Sequence, residues 1–452
     1  MGKQKRQRNK LHKQNPTGLA SIKDFDEING GDVTNEDKEN ALQRVYEEVQ
    51  SADIEEKLSG LQTLEAMSCN PILAIRISKD GIAKLIGPLL VDQNVHVRIA
   101  TASALRRIAD NGKTEAYEHL LNDDIMTALT TLLKQYHASW QPKQEQNDKM
   151  RLNNEKESFI EAVNLLWTLC ENNERAIKYS NEEDLVSILL KFFDINSYGI
   201  EVATITGQCL LSLSEDNPTA LTKLKTYEEA LLDLLNLEPN DFTAFDVLCL
   251  KTVILGLIIN LTGITENNPM SAICKAITVL SETLTIDCKE LLSNLTSILP
   301  HEKNSVSSSA KRKVQENKRM LGAQQLALEI LANLCSEEEE IQNDSDLEDS
   351  DEGNEEVECP EDVPMDEKFD RISSALPLEV VEVFHSCDIV KKVIAKTIAV
   401  DKDTEEILEQ NDEGKTVLKQ MHTLRCRAYL CLNNFMSTLE IDSFGGVDSI
   451  FR

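Results

Sequence analysis

Helix breakers are scarce in this 452-residue sequence, which has eleven Pro and seventeen Gly, and aromatic residues make up only 4% of it. So little turn-forming and aromatic content argues against a β-rich sandwich or barrel and leaves aliphatic residues to build long helices. The eleven Cys contain no C-x-x-C pair, and Cys170, Cys209, Cys249, Cys335 and Cys431 sit within apolar helical runs. They read as small buried hydrophobes in a reducing compartment, not as a disulfide framework or a metal cage. The seven His (His12, His96, His119, His137, His301, His385, His422) are scattered singly, without the i, i+4 pairing or Cys neighbours of a metal site. His385-Ser386-Cys387 comes nearest to a reactive cluster, yet adjacent helical residues face different ways. No G-x-x-x-x-G-K-[ST] phosphate loop occurs, and Gly445-Gly446 reads as a turn. The expectation is a protein without catalytic residues, metal or cofactor.

Positive charge is also short: 47 Lys and Arg against 78 Asp and Glu give a formal net charge of -31. Such a surface repels phosphates, so direct nucleic-acid binding is not expected and basic proteins are the expected partners. The first thirteen residues are basic and no apolar stretch follows them, so no secretory signal is read and the chain is expected to begin in the cytosol. The most hydrophobic run, Val247 to Ile264, has to be weighed as a membrane span against a buried helix. It is interrupted by Lys251 and Asn260, slightly short, and without basic flanks, so it reads as a buried helix and no membrane association is expected.

What the sequence does have is an internal repeat. Two large apolar residues three apart, near the end of a helix, recur as Leu61-Gln-Thr-Leu64, Leu105-Arg-Arg-Ile108, Leu166-Trp-Thr-Leu169, Leu210-Leu-Ser-Leu213, Ile258-Ile-Asn-Leu261, Leu331-Ala-Asn-Leu334 and Leu432-Asn-Asn-Phe435. Five copies carry a small residue one turn earlier (Thr101, Ala162, Thr206, Ala327, Ala428), which lets neighbouring helices approach closely. Polar clusters such as Asp110-Asn111-Gly112, Glu171-Asn172-Asn173 and Glu215-Asp216-Asn217-Pro218 then stop the helix. Leu61 to Leu105 and Leu166 to Leu210 both span 44 residues, the armadillo and HEAT period. The fold class expected is therefore all-α, an armadillo/HEAT-repeat superhelical solenoid with a long disordered acidic loop. A monomer is expected.

In such a solenoid the last helix of each repeat lines an inner groove, and the third residue of each pattern is expected to face it. Those residues are Thr63, Arg107, Thr168, Ser212, Asn260, Asn333 and Asn434. Asparagines in such a row can bond the backbone of an extended peptide, although polar residues there also merely solvate a helix end. Two charged segments stand out, one before the repeats and one inserted among them. Lys3, Lys5, Arg6, Arg8, Lys10 and Lys13, closed by Pro16, read as a nuclear import signal for a karyopherin or importin, or else as a solubilising arm. Between Glu337 and Glu367 there are seventeen Asp or Glu and no Lys or Arg, so the segment should be disordered. Its carboxylates, among them Glu337, Glu338, Glu339, Glu340, Asp344, Asp346, Glu348, Asp349, Asp351, Glu352, Glu355, Glu356 and Glu358, either shield a basic cargo or form a plain solvated linker. The expected organisation is a basic tail over residues 1–35, repeats over 36–300 and a basic Ser-rich loop over 301–318. A repeat helix over 319–336, the acidic loop over 337–370 and further, truncated repeats over 371–452 complete it.

This order of features resembles the symportin family, also called HEAT repeat-containing protein three. Local echoes are Ile86-Gly-Pro-Leu-Leu90, Asp124-Ile-Met-Thr127, Asn164-Leu-Leu-Trp167, Glu215-Asp-Asn-Pro218 and Cys431-Leu-Asn-Asn434. The resemblance implies a transport adaptor and chaperone that binds new large-subunit ribosomal proteins five and eleven and escorts them to the nucleus for assembly with 5S ribosomal RNA. It also implies shuttling between cytoplasm and nucleus. Fungal relatives end the import signal in Pro-Tyr, whereas Pro16 precedes Thr17 here, which leaves the receptor open. The family continues through more HEAT repeats, whereas this sequence stops at Arg452, soon after Gly445-Gly446 opens what reads as another. An importin-alpha-like receptor would carry a Trp two residues before each first anchor. Ser103, Asn164, Gln208, Gly256, Glu329 and Leu430 stand there instead. A scaffold without a transport role would not need the basic tail.

Overall fold

The computed structural model describes residues 35–142, 149–171, 173–239, 242–262, 269–299, 308–336, 376–410, 412–439 and 444. The basic tail through Pro16 and the acidic run from Glu337 to Glu367 lie outside these. Every regular element among the described residues is helical. The chain divides into two units, Met1–Tyr227 and Glu228–Arg452.

The first unit contains α1 (Asn35–Val49), α2 (Ile54–Met67), α3 (Pro71–Lys79), α4 (Ile82–Ile86), α5 (Val95–Asn122), α6 (Ile125–Ser139), α7 (Lys149–Glu171), α8 (Glu174–Glu182), α9 (Leu185–Leu190), α10 (Ile195–Tyr198), α11 (Ile200–Ser214) and α12 (Pro218–Lys225). Its rhythm is two short helices followed by a long one. The polar clusters that end the long helices turn out to be N-caps of the next: Asn70, Asn173 and Asn217 each accept from backbone N–H groups of the helix they precede, with Pro71 and Pro218 at the first helical position. The short pair is joined each time through one left-handed residue, Gly81, Asp124 or Asp184, with φ of 83°, 62° and 55°. Aspartate tolerates that conformation because its carboxylate bonds locally. Asp124 accepts from Thr127 Oγ1 at 2.8 Å and Asp184 from Ser187 Oγ at 2.7 Å. Within α5 the helix breaks at Lys113 (φ 49°, ψ -140°), just after Asp110-Asn111-Gly112.

The long helices α2, α5, α7 and α11 pack in succession. Their anchors Leu61, Leu64, Leu105, Ile108, Leu166, Leu169, Leu210 and Leu213 are fully buried, and so are the small residues Thr101, Ala162 and Thr206. Tyr136, Trp140, Phe159, Phe192 and Tyr198 gather the scarce aromatics into one cluster, with ring centroids 4.3 to 6.0 Å apart.

The second unit contains α13 (Glu228–Leu235), α14 (Ala244–Thr262), α15 (Pro269–Thr285), α16 (Cys288–Thr296), α17 (Ser308–Leu334), α18 (Leu378–Ser386), α19 (Ile389–Lys396), α20 (Lys402–Glu409) and α21 (Asp412–Thr438). Asp388, at φ 51°, repeats the left-handed junction before α19. α14 holds the long apolar run. By length and composition Ala244–Leu261 could cross a membrane, yet Thr252 through Ile258 are all buried, and α14 packs on α13, α15 and α17.

Two expectations need correction here. Residues 308–318 are not loop: they form the first turns of α17, because Ala310, Val314 and Leu321 make a buried stripe at i, i+4, i+11 while the basic side chain of Arg312 stays exposed. The last two copies of the repeat pattern are also out of register. Leu334 and Leu432 are only half-buried, and the buried pairs are Leu331 with Cys335 and Cys431 with Phe435, spaced i, i+4.

Candidate functional site

The candidate surface is the row of long helices in each unit, where the expected groove residues lie. Helical periodicity puts the anchors inward and leaves the residues between them on the rim. The charged rim residues mostly pair with the adjacent helix. Glu65 of α2 accepts from Ser103 Oγ of α5 at 2.9 Å and pairs with Arg107 at 3.6 Å. Arg98 and Arg106 of α5 reach Glu155 and Glu161 of α7 at 2.6 and 3.2 Å. Lys156 of α7 reaches Glu201 of α11 at 2.5 Å. In the second unit Arg319 of α17 pairs with Asp246 of α14 at 3.2 Å, and Arg427 of α21 with Glu329 of α17 at 2.5 Å. Burial disfavours the Arg106 cation, but Glu161 and Asp110 more than offset it and hold the guanidinium above its ordinary pKa.

The expected groove residues fall into different settings. Thr63 donates to the Ser59 carbonyl at 2.9 Å, a bond within its own helix. Arg107 is partly exposed and paired as described. Thr168 is buried, so it does not present its hydroxyl to a groove. Its neighbour Trp167 takes the bridging place and donates its indole Nε1 to Ser212 Oγ at 2.9 Å, because the wider side chain spans the gap to α11. Asn260 is half-buried and Asn333 exposed. Asn434 Nδ2 donates to the Ala332 carbonyl at 2.9 Å, tying α21 to α17. The structure thus brings Ser212 together with Trp167 in the first unit, and Asn434 together with α17 in the second.

Sequence reasoning missed the ion-pair rungs. No fixed spacing announced them: Glu65 follows its anchor Leu61 by four residues, Arg106 and Arg107 follow Leu105 directly, and Glu161 precedes Leu166 by five. It also missed that His422 and Cys426 are i, i+4 on α21, with Nε2 and Sγ 3.6 Å apart. Among the described residues no group of three or more His, Cys, Asp or Glu could hold a metal ion. Ser386 Oγ donates to the Val383 carbonyl, which takes it away from His385 and Cys387.

Where α7 and α11 end, the first unit opens a cleft of ≈ 430 Å³ lined by Glu171, Glu174, Lys178, Ser212, Glu215 and Asp216 among others. Asn181 and Asn217 bond amide to amide across its floor at 3.1 and 3.2 Å. Four carboxylates, Glu171, Glu174, Glu215 and Asp216, stand against the one cation Lys178 in its lining, so the cleft favours cationic groups.

Stacked helical hairpins with inner rows of long helices define an armadillo/HEAT-class repeat protein. The chain is similar over its length to curated proteins named HEAT repeat-containing protein 3. The human protein of that name is 28% identical over 504 aligned positions, covering 100% of this chain and 72% of the relative. The mouse protein is 28% identical over 437 positions, covering 84% of this chain and 62% of its own length. A family model described as SYO1-like, TPR repeats, matches residues 378–452. Among solved structures, a designed armadillo repeat protein is 19% identical with a TM-score of 0.39, covering 63% of this chain and 99% of its own. The structure titled SYS-1 is 15% identical with a TM-score of 0.26, covering 90% of this chain and 77% of its own.

Proposed function

We propose that this protein is a non-enzymatic transport adaptor and chaperone for newly made basic ribosomal proteins, specifically large-subunit proteins five and eleven. It shields them from RNA and aggregation and escorts them into the nucleus for 5S particle and large-subunit assembly. One observation carries the reading: in a chain similar to HEAT repeat-containing protein 3, seventeen carboxylates and no cation stand between Glu337 and Glu367. Such a run attracts a strongly basic client over long range and competes with RNA for the same positive surface. The acidic cleft beside Ser212 and Glu215 has the same preference for cations. Lys3 to Lys13 with Pro16 would serve as the import signal for an importin, and the protein would shuttle as a monomer between cytoplasm and nucleus.

Affinity purification of the tagged chain from growing cells tests this. Ribosomal proteins five and eleven should dominate the bound fraction, and deleting Met1 to Lys13 should abolish nuclear accumulation of a fluorescent fusion. A bound fraction without ribosomal proteins would overturn the cargo assignment, and unchanged nuclear accumulation would remove the import signal.

A further inference from the structure

In the second unit several buried polar groups converge at a point that the adaptor role does not use. Lys396, the last residue of α19, is 4% exposed. Its Nζ donates to the Ile286 carbonyl and lies 3.6 Å from Cys288 Sγ. Cys288 opens α16 and is also buried, and its thiol donates to Gln324 Oε1 at 3.1 Å. Gln324, fully buried on α17, is itself fixed: its Nε2 donates to the carbonyls of Thr283 and Ile286 at 3.0 and 2.8 Å. A buried lysine is ordinarily neutralised by a carboxylate. Here a thiol is the hydrogen-bonded partner, and the Asp287 carboxylate just before it also favours the ammonium.

Desolvation lowers the Lys396 pKa, and it raises that of Cys288 against the opposing pull of Lys396. Among the described residues, the other buried thiols Cys170, Cys209, Cys249, Cys335 and Cys431 have no lysine amine within hydrogen-bond reach. Burial alone would leave a thiol inert; the Lys396 amine at 3.6 Å gives Cys288 a proton acceptor, while burial still holds its pKa above the ordinary thiol value.

We propose that Cys288 and Lys396 form a peroxide-driven covalent S–N bond, a sulfenamide that staples the start of α16 to the end of α19. The Lys396 amine first takes the thiol proton. The thiolate then attacks one oxygen of hydrogen peroxide, giving sulfenic acid and hydroxide, and hydroxide takes the proton back from the ammonium to leave water. The free amine attacks the sulfenic sulfur, the S–O bond breaks, and the departing hydroxide leaves as a second water with one amine proton. Sulfur is oxidised by two electrons and the peroxide is reduced. The chemistry is that of a sulfenic acid condensing with a nitrogen, with a side-chain amine as the nitrogen. The flexible lysine stem supplies the reach that closes the gap.

The test is hydrogen peroxide treatment of the folded full chain, digestion without reductant, and mass spectrometry. The expected product is a peptide pair joining Cys288 to Lys396 whose mass is the sum of the two less two hydrogens. It should disappear on reduction with dithiothreitol and be absent from chain oxidised in urea. Lys396→Arg should abolish it, and Cys426→Ser, which removes an exposed thiol, should leave it unchanged. The wild-type measurement decides by itself, whatever the stability of the variants. Recovery of Cys288 only as thiol, sulfinic or sulfonic acid, in a folded sample where Cys426 is oxidised, overturns the proposal.

Discussion

At the scale of single residues, the strongest constraints are buried rings, left-handed junctions and the buried amine of Lys396. Phe159 is fully buried within the aromatic cluster, so Phe159→Ala should destabilise the first unit by about 3–5 kcal/mol through lost transfer energy and the cavity left behind. Both tryptophans, Trp140 and Trp167, belong to that unit, so their fluorescence during urea unfolding reports it alone. Asp124 is held at positive φ with its carboxylate on Thr127, so Asp124→Ala should cost about 1 kcal/mol while Asp124→Gly is nearly neutral, by the same fluorescence readout. Lys396 has a folded-state pKa below its ordinary value. Between the two values the unfolded chain holds the extra proton, so unfolding free energy rises with pH across that window. Cys288, whose folded pKa is raised, acts in the opposite sense above the ordinary thiol value. Below that value, Lys396→Met should therefore flatten the rise in the urea midpoint of the second unit, followed by circular dichroism. An unchanged slope would contradict the burial of a titrating amine.

At the scale of elements, adjacent inner helices are joined both by an apolar seam and by ion-pair rungs. The Arg106 and Glu161 side chains are 28% and 20% exposed, enough burial for the pair to matter. A double-mutant cycle with Arg106→Ala and Glu161→Ala should give a coupling on the order of 1 kcal/mol, measured by Trp fluorescence. A coupling of zero would make the rung incidental. Much of this layer was legible in the sequence. The anchors of the first five repeats are apolar at fixed spacing, and the structure buries them all. α17 was harder to read, because Ser, Lys and Arg mask the stripe of Ala310, Val314 and Leu321 that makes residues 308–318 helical. The register of α21 was misread because Leu432 is the larger hydrophobe, whereas packing buried the smaller Cys431 with Ala428 and Phe435. The groove was less legible still. Polarity marks a residue as rim, but only three-dimensional packing decides whether it meets solvent, as Asn333 does, or another helix, as Asn434 does.

At the scale of the whole molecule, charge is the dominant property: a net -31, with seventeen of the acidic residues between Glu337 and Glu367. Some helix charges are paired locally, as Arg98 is with Glu155 and Arg319 with Asp246. The acidic run has no cation within it to do the same. Attraction between that run and a basic client is long-ranged and screened by salt, with a Debye length of about 8 Å at physiological ionic strength. The most direct measurement is the affinity of the full chain for ribosomal proteins five and eleven across a salt titration, beside a variant with the Asp and Glu of 337–367 replaced by Ser and Gln. The account predicts tight, salt-sensitive binding by the wild type and weaker binding with a flattened salt dependence in the variant. Equal affinity and equal salt dependence in the two proteins would contradict it.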